Sequence, residues 1–451
     1  MRFLNTTTFE LENRPQGGIH RDEYAILSHR WLNEEVIFQD LGNHIAVLRS
    51  GTQSLPQVEK IRGACAVAQA KGIKWLWMDT CCIDKTDSRE YSEAINSMFS
   101  WYRNAKLCIT ILQDVRRQDG ATGKEAFRSV EGGKTEGNPN EKGYSPSNWF
   151  SRGWTLQELL APRDMEIYDM DWQYIGTKRQ FAGALSDITR IDPQYITGEK
   201  DLSEASIAMK MSWSYRRETK YPEDMSYCTL GIFNVNMPLV YGEGGPRAFR
   251  RLQETILESP FMDESLFAWR MPDIHAGQEC DVVTTDWQPG YWGLLAGSPQ
   301  WFSDSGYIQV DSDTDSQVRR FRLTPKGIEG PIRKKQTRGT AINVLSALVC
   351  LSVVCIPFGD CLLRSMFEEK AKEDYAFTLN CFHIGTQEKV KIRLGPVNIG
   401  KVLLTTHTAD GQPIQAPYVE CRRIRCDELY FGNERITHLG DGIVFQPRPR
   451  Q

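Results

Sequence analysis

Short apolar runs alternate with helix-periodic stretches between residues 24 and 168. Residues 24–28 (YAILS) have the length and composition of a buried strand. Val58, Ile61, Cys65 and Ala68 then recur at the spacing of one helix face, and Lys71-Gly72 ends that helix. Residues 73–78 (IKWLWM) are mostly apolar, as a strand covered on both faces requires. Ser88 is placed to cap a helix whose face is Tyr91, Ile95, Met98, Phe99 and Tyr102. Residues 107–112 (LCITIL) predict a third strand and residues 165–168 a fourth. Before the fourth, good helix formers run from Leu156 to Leu160, and Pro162 stops them. Strand and helix in strict alternation predict an α/β fold, a parallel sheet with helices on both faces. Ligands of such sheets bind at the carboxyl ends of the strands.

The rest of the chain reads differently. Residues 116–148 are rich in Gly, Lys, Glu, Asn and Ser without periodicity, which predicts a mobile insertion. Residues 175–270 predict mainly helix, with segments at 205–215, 222–233 and 247–257. Residues 271–290 resemble a linker, and beyond 291 short apolar runs between turn residues predict a β-rich region. Residues 341–358 are strongly apolar but at the short end for a membrane helix, and Asn343, Ser346 and Ser352 interrupt them. Their Val, Ile and Cys content favours two buried strands over a membrane span. The expected organisation is an N-terminal segment (1–19), an α/β domain (20–270), a linker (271–290) and a β-rich C-terminal domain (291–451).

Composition narrows the function. A net charge of −4 and a pI near 6.1 argue against a general nucleic-acid binder. The 12 cysteines contain no CxxC pair and no metal-ligand spacing, so they read as reduced thiols and no metal is expected. The polar, acidic start is unlike a leader, and the expected location is cytoplasmic. Reactive side chains gather where two strands end: Ser28, His29, Arg30 and Trp31 after the first, Asp79 and Asp84 after the second. Arg30 suits a phosphate and the aspartates a ribose; turn stabilisation is the competing reading for all of them. Glu158 lies among Trp154 and leucines, where desolvation would raise its pKa and make it a usable acid or base. Its competing role is a helix residue paired with Arg152 or Arg163.

Four blocks resemble the fungal heterokaryon incompatibility (HET) domain family: YAILSHRW (24–31), WLWMDTCCIDK (75–85), SRGWTLQELLAP (151–162) and EDMSYCTLGIFNVNMPLVYGEG (223–244). With RLQETI…SLFAW, the resemblance covers residues 20–270. It implies a role in non-self recognition, with programmed cell death when incompatible hyphae fuse. It also implies a flavodoxin-like fold similar to Toll-receptor-type (TIR) domains. Some of these cleave NAD with a glutamate on the helix after the third strand, and Ser151, Trp154 and Glu158 resemble that setting. The implied site has Glu158 as the catalytic group and Ser28, His29, Arg30, Asp79, Asp84 and Trp154 as substrate contacts. NAD would be the substrate, with no resident cofactor. The implied partners are a second HET domain and a protein sensor or incompatibility partner. The alternative is a non-enzymatic signalling adaptor that acts by homotypic assembly.

Overall fold

The computed structural model describes residues 1–13, 23–51, 55–131, 144–270, 291–292, 294–310, 321–324, 327–335, 375–385, 389–407, 413–424, 430–431 and 436–444. The chain divides into two compact units, Met1–Ala205 with Trp213–Thr255, and Ser206–Ser212 with Ile256–Gln451. The apolar segment 341–358 and the linker 271–290 lie outside the described residues.

The first unit is built on a seven-stranded sheet. Its strands are β1 (Arg2–Asn5), β2 (Leu11–Asn13), β3 (Tyr24–His29), β4 (Trp75–Trp77), β5 (Leu107–Ile111), β6 (Met165–Tyr168) and β7 (Tyr174–Thr177), in the order β2-β1-β4-β3-β5-β6-β7. The four strands expected from the apolar runs form its parallel centre, β4-β3-β5-β6. All residues of β3 and β5 are buried, which accounts for their unbroken hydrophobicity.

Antiparallel strands extend the parallel centre on both sides. The β1–β2 hairpin pairs antiparallel with β4, and β7 pairs antiparallel with β6. Neither edge announces itself by an apolar run. In β1 only Phe3, Leu4 and Asn5 are buried, and β7 buries a single glycine. The edge strand β7 needs few hydrophobic residues, and β1, between β2 and β4, buries Phe3 and Leu4 but is too short to read as an apolar run.

The helices are α1 (Leu41–Ser50), α2 (Pro56–Ala70), α3 (Ser88–Asn104), α4 (Thr155–Leu160), α5 (Ala182–Thr189), α6 (Pro193–Thr197), α7 (Ile207–Ser212), α8 (Asp224–Tyr227), α9 (Leu230–Phe233) and α10 (Gly245–Glu258). Helix α2 buries Val58, Ile61, Cys65 and Ala68 and ends where Gly72 takes φ +68°. Helix α3 is capped by Asp87 rather than Ser88, the Asp87 carboxylate accepting from the backbone of Arg89 and Glu90. The direction of travel across the sheet reverses at β3, since β4 lies on one side of it and β5 on the other. Right-handed crossovers therefore send successive connections to opposite faces and leave a crevice at the carboxyl ends of the central strands.

Within the stretch expected to be a mobile insertion, Lys124–Phe127 form a 3-10 turn with Phe127 fully buried. Isolated bridges join Val115 to Ser129 and Arg128 to Pro146. In the second unit the described strands form a nine-stranded, mainly antiparallel sheet. Nearby, Trp269 packs on Trp301 with centroids 4.9 Å apart and donates its indole N–H to the Leu294 carbonyl at 2.6 Å. No helix among the described residues is long and apolar enough to cross a membrane.

The junction of α9 with α3 gives a direct test of the packing. A Cβ added at Gly231 would lie 2.0 Å from Cβ of Phe99, an atom fixed to the backbone of α3. Gly231→Ala should lower stability by about 1–3 kcal/mol through overpacking. Gly183→Ala in α5, where a Cβ meets nothing within 4 Å, should raise it by up to about 1 kcal/mol. Paired thermal or denaturant unfolding checks both; a neutral Gly231→Ala would contradict the placement of α9 against α3.

Candidate functional site

Two groups of polar side chains form at the carboxyl ends of β3 and β4, one sealed and one open. In the sealed group Ser28, at the end of β3, donates from Oγ to Oε2 of Glu158 at 2.5 Å. Trp149, in the turn before α4, donates its indole N–H to Ser28 Oγ at 2.9 Å. The Tyr102 hydroxyl from α3 also hydrogen-bonds with Glu158 and donates its single proton to the Leu27 carbonyl at 2.8 Å. The contacts of Ser28 and Tyr102 both favour the charged form of Glu158, and burial opposes it.

Burial prevails. Glu158 is 6% exposed. Desolvation, aided by the charge of Asp79, pushes its pKa up to about 8 against the hydrogen bonds from Ser28 and Tyr102 and the charge of Arg217. No ion pair to Arg152 or Arg163 forms. Arg217 is itself buried, donating to the Arg152 carbonyl at 2.7 Å and to Thr155 Oγ1 at 2.9 Å, so it braces the start of α4. At the other end Lys178 donates to the carbonyls of Leu159 and Pro162 and neutralises the terminus of the helix. A six-residue helix is held at both ends by buried cations.

In the open group His29 Nε2 meets Asp79 Oδ1 at 2.9 Å, and the Trp31 indole N–H donates to Asp79 Oδ2 at 2.8 Å. Lys85 Nζ sits 3.9 Å from Asp79 Oδ2 and 3.5 Å above the Trp31 ring. Burial opposes ionisation of Asp79, yet Lys85, His29 and Trp31 together hold its pKa well below the usual carboxylate range. Behind His29, Lys60 contacts His29 Nδ1 at 2.9 Å and pairs with Glu35.

The remaining candidates are placed as follows. Arg30 is exposed and makes no hydrogen bond or ion pair with the described residues. Asp84 is turned into its own loop, accepting from Gln39 at 2.7 Å and from the backbone and hydroxyl of Thr86 at 3.0 and 2.6 Å. Trp154 donates to Asp224 at 3.2 Å, and Tyr241 donates to the other oxygen of that carboxylate at 2.8 Å. The structure therefore joins Ser28 with Glu158 and His29 with Asp79, and puts Trp154 with Asp224. Cys81 and Cys82 are buried free thiols, and the Gly242–Gly244 turn is held by Glu223, which accepts from both glycine N–H groups at 2.9 Å. Sequence reasoning missed Trp149, Tyr102, Lys60, Glu35 and Arg217. One signal existed: Gln57, Lys60 and Ala64, all buried, share a face of α2, which places polar groups where apolar ones belong. Among the described residues no group of three or more His, Cys, Asp or Glu could hold a metal.

The raised pKa of Glu158 has a consequence for stability. The folded state holds a proton up to about pH 8 that the unfolded state releases near its ordinary value of 4.5. Between those values the native state binds more protons, so this group makes stability fall as pH rises, by at most about 1.4 kcal/mol per pH unit. Glu158→Gln removes that slope while keeping the shape. The unfolding free energy of wild type minus variant should fall steadily from pH 5 to pH 8; a flat difference would show that Glu158 is ionised in the native protein.

The sequence comparisons bear on this arrangement. Residues 24–158 match the family model of the heterokaryon incompatibility protein (HET), and residues 247–330 match a domain of unknown function (DUF8212). Over 236 residues the chain is 40% identical to vegetative incompatibility protein HET-E-1 of Podospora anserina, a stretch that takes in 52% of this chain and 16% of that protein. No solved structure matches the chain. The family match opens on Tyr24, the first residue of β3, and closes on Glu158, so it takes in both groups of side chains. Over residues 24–158 this chain carries a heterokaryon incompatibility (HET) domain.

Proposed function

We propose that this chain is an intracellular effector of heterokaryon, or vegetative, incompatibility that brings about programmed cell death by hydrolysing NAD. The observation that carries the enzymatic part is the pair of carboxyl groups with opposite protonation states at one sheet edge, Glu158 poised near neutrality and Asp79 ionised. Carboxyl groups whose environments drive their pKa values apart are the usual basis of acid–base division of labour. The parallel centre β4-β3-β5-β6 corresponds to strands 2-1-3-4, which supports a flavodoxin-like, TIR-like assignment. The strands of the second unit support a β-rich regulatory or interaction domain.

In this mechanism the bond between ribose C1′ and the nicotinamide nitrogen breaks. The bonding electrons leave with neutral nicotinamide, and water adds to C1′ with release of one proton. Ionised Asp79 stabilises the cationic sugar, and Glu158, once deprotonated, accepts the proton of the attacking water. The fraction of Glu158 in its base form grows with pH up to about 8. The rate of NAD loss should therefore rise as pH rises, by up to about tenfold per unit below that value.

The burial of Glu158 favours a second reading, a non-enzymatic adaptor that works by homotypic assembly, because its carboxyl group is already bonded to Ser28 and Tyr102. One experiment separates the two: expression of the full chain, wild type against Glu158→Gln, with NAD content, viability and soluble yield measured together. The enzyme reading expects wild-type cells to lose NAD and the variant to lose it about a hundredfold more slowly or worse. Full toxicity of both proteins with NAD unchanged would replace the enzyme by the adaptor.

A further inference from the structure

Asp79 has bonding capacity that the protein leaves unused. A carboxylate offers about four lone-pair sites. His29 takes one on Oδ1 and Trp31 one on Oδ2, while Lys85 at 3.9 Å is beyond hydrogen-bonding distance. Each oxygen keeps a free acceptor site, and the side chain is 23% exposed. Trp31 beside it is 42% exposed.

The geometry behind Asp79 is equally specific. The Lys60 and Glu35 side chains are 1% and 5% exposed, a buried ion pair. Glu35 also accepts the Leu32 N–H at 2.7 Å, which fixes the chain just beyond Trp31. An ammonium group only donates, so Lys60 makes His29 Nδ1 the acceptor. The ring proton then lies on Nε2 and is donated to Asp79. This row of partners sets one tautomer, one ring orientation and one carboxylate orientation.

We infer that Asp79 is the receiving group for the vicinal diol of a ribose, and that Lys60 and Glu35 are positioning residues that act on it through His29. Two adjacent hydroxyls are the donor pair that two free acceptor sites on one carboxylate fit, and charge-assisted bonds of this kind are the strong ones. The choice of a ribose rests on the proposed NAD substrate; the row of contacts does not.

The test uses the full chain and two probes, AMP and 2′,3′-dideoxy-AMP, titrated by calorimetry or ligand-observed NMR. Wild type should bind AMP more tightly by about tenfold or more, the yield of losing hydrogen bonds to a charged acceptor. Asp79→Asn should remove most of that preference. Lys60→Met should reduce it as well and, in ¹⁵N imidazole spectra, move the His29 proton from Nε2 alone to a mixture of tautomers, a change that lost packing by itself would not produce. No binding of AMP, or equal binding of the two probes by wild type, overturns the diol assignment without needing any variant to fold. An unchanged His29 tautomer in folded Lys60→Met overturns the positioning role. Diol-dependent binding by a protein that leaves NAD intact would keep this inference and reject the enzyme, whereas NAD loss caused by a wild-type protein that binds the two probes equally would do the reverse.

Discussion

One row of hydrogen bonds, from Trp149 through Ser28 and Glu158 to Tyr102 and the Leu27 carbonyl, joins parts of the chain that are far apart in sequence. It ties β3 to α3, to α4 and to the turn that precedes α4. A polar row in a buried site is stabilising only if every member is satisfied, because an orphaned group there costs about 1–3 kcal/mol. That condition fixes the direction of each bond. Trp149 can only donate to Ser28, Ser28 gives its proton to Glu158, and Tyr102 donates to the Leu27 carbonyl. The raised pKa of Glu158 is a result of desolvation and of the Asp79 charge, which outweigh the bonds from Ser28 and Tyr102.

The two carboxyl groups show how neighbouring sites acquire opposite character. Asp79 has a cation, an imidazole and an indole N–H around it and stays charged. Glu158 has only neutral partners within reach, with Arg217 acting on it from the base of α4. The charge on Asp79 then raises Glu158 further, so ionising the first helps to keep the second protonated. Coupling of this kind makes the pair, rather than either residue, the unit that responds to pH.

Most of the parallel centre was legible because β3 and β5 are buried on both faces and write that burial as continuous apolar runs. The antiparallel flanks were not, since Arg2–Asn5 is only four residues long and Tyr174–Thr177 buries a single glycine. At the site, Ser28, His29, Asp79 and Glu158 stood out as polar groups at strand ends or among apolar neighbours. Their partners did not. Lys60 shares a face of α2 with Gln57 and Ala64, which hints at burial, but nothing local names His29 as its partner. Trp149 and Tyr102 look like core aromatics, which they are; that each also lends a polar atom to the row depends on contacts with Ser28 and Glu158 across the fold. Asp84 carried the same sequence signal as Asp79, but Thr86 lies within reach of its carboxylate and the loop takes it up.

The HET match begins on β3 and ends on Glu158, and its two ends meet in the bond between Ser28 and Glu158, 130 residues apart. Closing so long a segment is entropically demanding, although the cost grows only slowly with length. The chain reduces it by pinning the polar stretch after β5 at its base. Asp114 accepts from Ser147 Oγ at 2.5 Å and from the Asn148 backbone at 2.7 Å, one residue before Trp149. Bridges at Val115–Ser129 and Arg128–Pro146 shorten the path again. The backbone therefore leaves and re-enters the sheet edge at points set by Asp114. Trp149 is delivered to Ser28, and α4 follows with Glu158 on its inner face. The intervening segment adds packing of its own, since the fully buried Phe127 meets Phe150, the neighbour of Trp149, edge to face.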